Sequence, residues 1–262
     1  MGTPLKNPPV YFTVAQVRFN KLLKLPDFLP TIQENLRKAG FPDFKTHKSI
    51  VLQFVSQDGQ TPPTPVVQER YLFGNVEQTH GLLLEDDKLT LQSTNYGQFE
   101  SFSSMFLQGL EVLHGVAQLD FTERVGLRYL DRVMPQEGET LAQYLAPEVM
   151  GMNIRLGGKP LHSYSETLTE LDDIKLLSRV SIQGGGLAFP PDLMPGDMVV
   201  AKRFMDYDGP SAILDNDGFV DIREIFSTAS VSDYLNAIHK VIGKAFRATA
   251  SQHALDVWGQ EQ

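Results

Sequence analysis

The sequence predicts an α+β fold in which one order of elements, β-α-β-β-β-β-α, occurs twice, over residues 1–118 and again over 119–262. Two observations carry that reading. The segments "LLLEDDKLTLQ" and "AILDNDGFVDI" both look like acidic hairpins, and each stands a short step before a long amphipathic helix. Composition does not shift near Leu119, so the halves are expected to pack closely as one unit.

Each element has its own signal. β-branched and aromatic content marks residues 10–21 as a strand. "LPDFLPTIQENLRKAG" repeats apolar Phe28, Ile32 and Leu36 at helical spacing and stops at Gly40. Strand character returns in "HKSIVLQFVS" and "PVVQERYLFGN", which flank a Pro-rich turn at 61–65, and "GLLLEDDKLTLQST" reads as a hairpin turning at Asp86 and Asp87. Phe99, Phe102, Phe106, Leu110 and Leu113 then recur at the spacing of a buried helical stripe. The second half opens on the strand "ERVGLRYLDRV" and a helix around "ETLAQYLAPEV". Extended segments follow in "LHSYSETLTELDDIKLLSRVSIQ" and "DMVVAKRFMDY", then a hairpin in "SAILDNDGFVDIRE" turning at Asp215–Gly218, and a long helix over 231–250.

With 262 residues, 42% hydrophobic and 21% charged, the chain has the composition of a globular protein rather than a disordered one. The absence of cysteine removes disulfides, thiolate metal sites, iron–sulfur clusters and cysteine nucleophiles together. The start "MGTPLKNPPVYFTVAQVRF" does not read as a secretory signal, and no run approaches the ~20 apolar residues of a membrane span. A cytoplasmic location is expected. A net charge of −9 disfavours nonspecific contact with nucleic acid while leaving room for a local basic patch.

The doubled order resembles the TATA-binding-protein-like topology, which implies one curved antiparallel sheet, a saddle, with the helices on its convex face. Three stretches, "NPPVYFTVAQVRF", "RVGLRYLDRV" and "LNAIHKVIGKAF", resemble a sporadically distributed bacterial family of uncharacterised proteins over nearly the whole chain. That resemblance implies no activity and only a loose association with mobile or phage-defence gene neighbourhoods. Its most recognisable piece is the Arg124, Gly126, Arg128, Tyr129 motif.

The same motif supplies the first candidate site. On a strand, Val125, Leu127, Tyr129 and Val133 take one parity and Arg124, Gly126, Arg128 and Arg132 the other. Arginine forks suit carboxylate and phosphate, and Gly126 would allow a ligand or a backbone to come close. Lys175, Arg179, Lys202 and Arg203 could join from neighbouring segments. The competing reading pairs these cations with Glu69, Glu166 or Glu170 across the sheet. A second candidate is the Gly- and Pro-rich loop 183–197, where Leu187, Phe189, Leu193 and Met194 could grip a partner or tuck against the core.

Other motifs dissolve on inspection. Asp215, Asp217, Gly218 and Glu224 match a calcium loop whose first position is Ile213, which removes a central ligand. The acids Glu85, Asp86, Asp87, Asp172 and Asp173 could hold Mg²⁺ only with partners that no spacing reveals. The six histidines form no ligand pair at helical spacing, and His239 reads as a packed residue. No cofactor or catalytic residue is expected. The reading is a non-enzymatic binding or accessory protein, of antitoxin, immunity or phage-defence type, recognising a protein partner or an anionic ligand. The alternatives are specific nucleic-acid binding, with Phe12 or Tyr71 stacking on bases, and a metal-dependent nuclease or phosphodiesterase.

Overall fold

Strand β1 (Val10–Phe19) leads into helix α1 (Leu25–Lys38), strands β2 (Asp43–Gln53), β3 (Thr64–Gly74), β4 (His80–Glu85) and β5 (Lys88–Ser93), and helix α2 (Phe99–Ala117). The chain continues through β6 (Phe121–Val133), the short helices α3 (Leu141–Tyr144) and α4 (Asn153–Leu156) with a 3-10 turn at Pro147–Val149 between them, β7 (His162–Leu171) and β8 (Ile174–Gln183). It closes with the one-turn helix α5 (Lys202–Met205), β9 (Ser211–Ile225), α6 (Thr228–Thr249) and α7 (Gln252–Gly259). These elements come from a computed structural model that describes residues 5–53, 64–157, 161–193 and 195–260. The nine strands form one curved antiparallel sheet in the order β2-β3-β4-β5-β1-β6-β9-β8-β7, with β1 against β6 near its middle.

One face of the sheet carries the main core. Strand side chains such as Ala15, Val17, Leu89, Leu91, Val125, Leu127 and Val220 meet Ile32 and Leu36 of α1, the Phe99-to-Leu113 stripe of α2, and Val231, Leu235, Ile238 and Ile242 of α6. The period-2 strands and 3.6-period helices therefore bury complementary faces. Gly40 ends α1 at φ +99°, a conformation that glycine adopts without a side-chain clash. Further along the same face, α3 and α7 cover Val133 and Leu214 with Tyr144, Ala254 and Trp258. Helix α7 escapes a periodicity argument because it is eight residues long; Ser251 caps it by accepting from the Ala254 amide.

The opposite face is covered by chain without regular structure. Leu187, Phe189, Leu193, Met198 and Val200 lie over Tyr11, Phe12, Val14, Leu130 and Ile213, and Phe204 is buried among them. The segment is stitched across the sheet: Tyr11 donates to the Ala188 carbonyl at 2.8 Å, and Thr94 donates to the Val199 carbonyl at 2.6 Å. Residues 197–207, expected as a strand, form part of this cover plus the single turn α5. Their apolar side chains gain more by closing the open sheet face than by extending an edge.

The expected hairpin in "SAILDNDGFVDIRE" is instead the uninterrupted strand β9, paired with β6 on one side and β8 on the other. The turn signal is overridden because Asp215 and Asn216 find partners inside the sheet. Gly218 has a packing reason: a Cβ there would come within 2.6 Å of the Ile238 Cγ2 of α6. Three strands rather than four therefore follow β6 in the second half. The helix around "ETLAQYLAPEV" also shrinks, since Ala146 before Pro147 is extended at φ −61°, ψ 141°. No helix among the described residues is long and apolar enough to cross a membrane.

Candidate functional site

Strand parity sets the site. Val125, Leu127 and Tyr129 point into the helix-side core, which sends Arg128, Leu130 and Arg132 to the loop-covered face. There Arg128 meets Asp215 of β9 through two parallel bonds, Nε to Oδ1 at 2.6 Å and Nη2 to Oδ2 at 2.8 Å. Its outer edge reaches Asp192 of the loop, Nη1 to Oδ2 at 2.5 Å. Arg179 of β8 donates to Asp215 at 3.0 Å and to Glu166 of β7 at 2.9 Å, and the Tyr164 hydroxyl donates to the same Glu166 oxygen at 2.8 Å.

These groups line a cleft of about 400 Å³ between the sheet and the loop, walled by Ala188, Phe189, Pro190, Pro191 and Ile213. Two guanidinium groups face the three carboxylates of Asp192, Asp215 and Glu166, so acids outnumber cations by one in the cleft and each arginine is matched. Burial by itself would weaken the Arg128 charge, but the hydrogen bonds to Asp215 and Asp192 outweigh it and raise its pKa. Burial likewise pushes the Asp192 carboxyl up, and the Arg128 hydrogen bond more than reverses this, leaving Asp192 below its ordinary value. Half-buried Asp217, on the same face, is pushed up by burial against the pull of Arg128 and Arg124.

The structure spreads the remaining candidates out. Arg124 lays its guanidinium 4.0 Å from the centroid of Phe219 and stands 3.9 Å from Asp221, which also accepts from Lys175 at 2.9 Å. Gly126 is buried where an added Cβ would make ordinary contacts at 3.7 Å with the Gly218 carbonyl and Phe219. Phe189 packs edge-on to Tyr11 and Phe12 at 5.2 and 5.4 Å between centroids, while Leu187 and Leu193 are half-buried beside it. Met194 lies outside the described residues. Phe12 and Tyr71, the rings considered for stacking on bases, are both buried.

Arg132 takes a different course. Completely buried, it donates to the Ser211 hydroxyl and to the carbonyls of Phe204, Gly185 and Tyr207. On the helix side a further polar chain runs from Tyr96 to Tyr129 at 2.8 Å and from Tyr129 to His239 Nδ1 at 3.1 Å, with the His239 ring stacked on Phe99. Neighbouring Asp131 is pushed up to about 7 by burial.

Sequence reasoning named Glu166 as a partner for these cations but missed Asp215 and Asp192. Asp215 sat inside an apparent turn, and Asp192 in a loop read for its apolar residues. Among the described residues, no three His, Asp or Glu side chains gather so as to hold a metal ion. Fold and site together define an α+β protein with an arginine–carboxylate cleft roofed by a cross-sheet loop. No protein-family model matches the chain, and no curated protein matches its sequence.

Proposed function

We propose that this protein is a non-enzymatic binding or accessory subunit that takes an acidic segment of a protein partner between the 183–197 loop and the sheet face. One observation carries the reading. Asp192 holds the outer edge of Arg128 although its side chain is 65% exposed, whereas Asp215 on the inner edge is 5% exposed. Exposed ion pairs contribute little to stability, so the Asp192 carboxylate can be exchanged for a partner's at small cost while the Asp215 pair keeps the fork aimed. Phe189 and the prolines beside it would supply the apolar contact.

The mirrored strand order about β1 and β6 supports two duplicated halves, residues 1–118 and 119–262, forming a saddle of TATA-binding-protein-like type. In that reading the loop and its cleft are what the second half has in place of a fourth strand. A cytoplasmic antitoxin- or immunity-type role in phage defence suits an acidic binding protein of this kind.

The test is copurification from native cells of the wild type, Asp192→Ala and the Arg128→Ala/Arg179→Ala double variant, with each unfolding midpoint measured alongside. An attached protein should be retained or enriched with Asp192→Ala and lost with the double variant. Equal capture by all three would overturn the proposal, as would an attached nucleic acid released steeply by salt.

A further inference from the structure

Four residues beyond Arg128 on the same face of β6, Arg132 forms the floor of a second cleft of about 250 Å³. Its wall includes Arg203 of α5, Tyr207, Gln136, Met134 and Trp258, and no aspartate or glutamate lines it. Among the described residues, no carboxylate lies within 4.0 Å of either guanidinium. Arg132 directs its guanidinium at four neutral acceptors, three carbonyls and one hydroxyl. Arg203 is exposed and commits one bond, to the Pro8 carbonyl at 2.8 Å. Carbonyl oxygens orient a guanidinium without neutralising it. Burial accordingly lowers the pKa of Arg132, and the more distant Asp208 offsets this only in part, because no carboxylate bonds to the guanidinium as in Arg128.

A buried cation without a counter-charge is costly, and an anion arriving from solvent relieves that cost. In a chain of net charge −9, a cleft with two arginines and no acid is a local inversion of the field. Its volume is below the usual range for drug-sized ligands, which fits a small molecule. We propose that this cleft binds a small oxyanion, carboxylate or phosphate, contacted by the exposed arm of Arg203, held in the field of the buried Arg132, and lying against Tyr207 and Met134. The proposal is independent of the Arg128 cleft.

Thermal unfolding and titration calorimetry with inorganic phosphate in one arm and citrate in another, each against sodium chloride at equal ionic strength, test it. At least one oxyanion should raise the midpoint saturably beyond chloride and bind with measurable heat, and the arm that does so identifies the oxyanion class. Arg203→Met should keep the ligand-free midpoint to within a few degrees and weaken that binding at least tenfold, because its exposed side chain holds one hydrogen bond, to Pro8, and the methionine can keep the apolar contact over the Phe204 ring. Arg179→Met, which alters only the other cleft, should leave it unchanged. Failure of both anions to exceed chloride, or equal binding by wild type and Arg203→Met, would overturn the proposal.

Discussion

Arg128 and Arg132 stand on one strand, on one face, one helical-looking interval apart, yet they inhabit opposite electrostatic environments. Arg128 is clamped between the buried Asp215 and the exposed Asp192, and its charge is matched. Arg132 is more deeply buried and is held by Ser211 and main-chain carbonyls, so its charge is oriented but not matched. The difference comes from what the rest of the chain brings to each position. Diagonally across on β9, Asp215 reaches the first arginine, whereas Ser211 reaches the second, which stands directly opposite Ile213, and the loop crosses there with its backbone. A row of arginines on a strand therefore meets two kinds of surroundings, one neutralised by carboxylates and one held by neutral acceptors.

The comparison breaks most sharply at Asp215. Asp215→Ala strands Arg128 and Arg179 in a partly buried cleft, and chemical denaturation should show a loss of about 3–5 kcal/mol. A loss below about 1 kcal/mol would mean that the pair contributes little to the folded state. Nothing comparable exists to remove at Arg132, where no acid completes the charge.

On the helix side the sign is reversed for Asp131. A carboxyl raised to about 7 in the folded state, above its unfolded value, favours folding while protonated. That contribution is full below pH ~4 and is lost as pH rises through about 7. Asp131→Asn should therefore leave stability at pH 4 little changed and raise it at pH 8 by a few kcal/mol, read from denaturation curves at the two pH values. A wild-type-minus-variant difference that is flat with pH would contradict the assignment.

Gly218 tests whether the strand behind both clefts is as closely packed as it looks. Gly218→Ala should cost about 1–3 kcal/mol because its methyl runs into Ile238 of α6. Replacement without loss would show that α6 can move away from β9. At the exposed end of the sheet face the effect should vanish: Lys175→Ala, which removes a solvent-exposed pair with Asp221 and a distant contact with the Phe219 ring, should leave the unfolding midpoint within replicate scatter.

Much of this architecture was legible in the residues. Phe99, Phe102, Phe106, Leu110 and Leu113 announced the buried stripe of α2, "LLLEDDKLTLQ" announced the β4–β5 hairpin, and the alternation in 123–133 put the arginines on the face away from the helices. These signals are local: a helix or strand displays its buried face within a dozen residues. What the residues hid was long-range. The Asp215–Gly218 run is a good turn in isolation, and only pairing on both sides, with Ile238 closing over Gly218, makes it the interior of a strand. The segment with Met198 and Val200 reads as extended, but packing of those two side chains against the open face decides its place.

The sequence by itself determined the periodicities, and through them the class of the fold, the helix-side core and the parity of Arg124, Arg128 and Arg132. Tertiary structure alone decided their chemistry. An arginine becomes neutralised, oriented or available according to the acceptors within about 3 Å of its fork, and here these come from Asp192, Asp215 and Ser211, more than 60 residues away along the chain. Short-range patterning cannot encode that distance, because contact at such separation is fixed only when the sheet closes and the loop is laid across it.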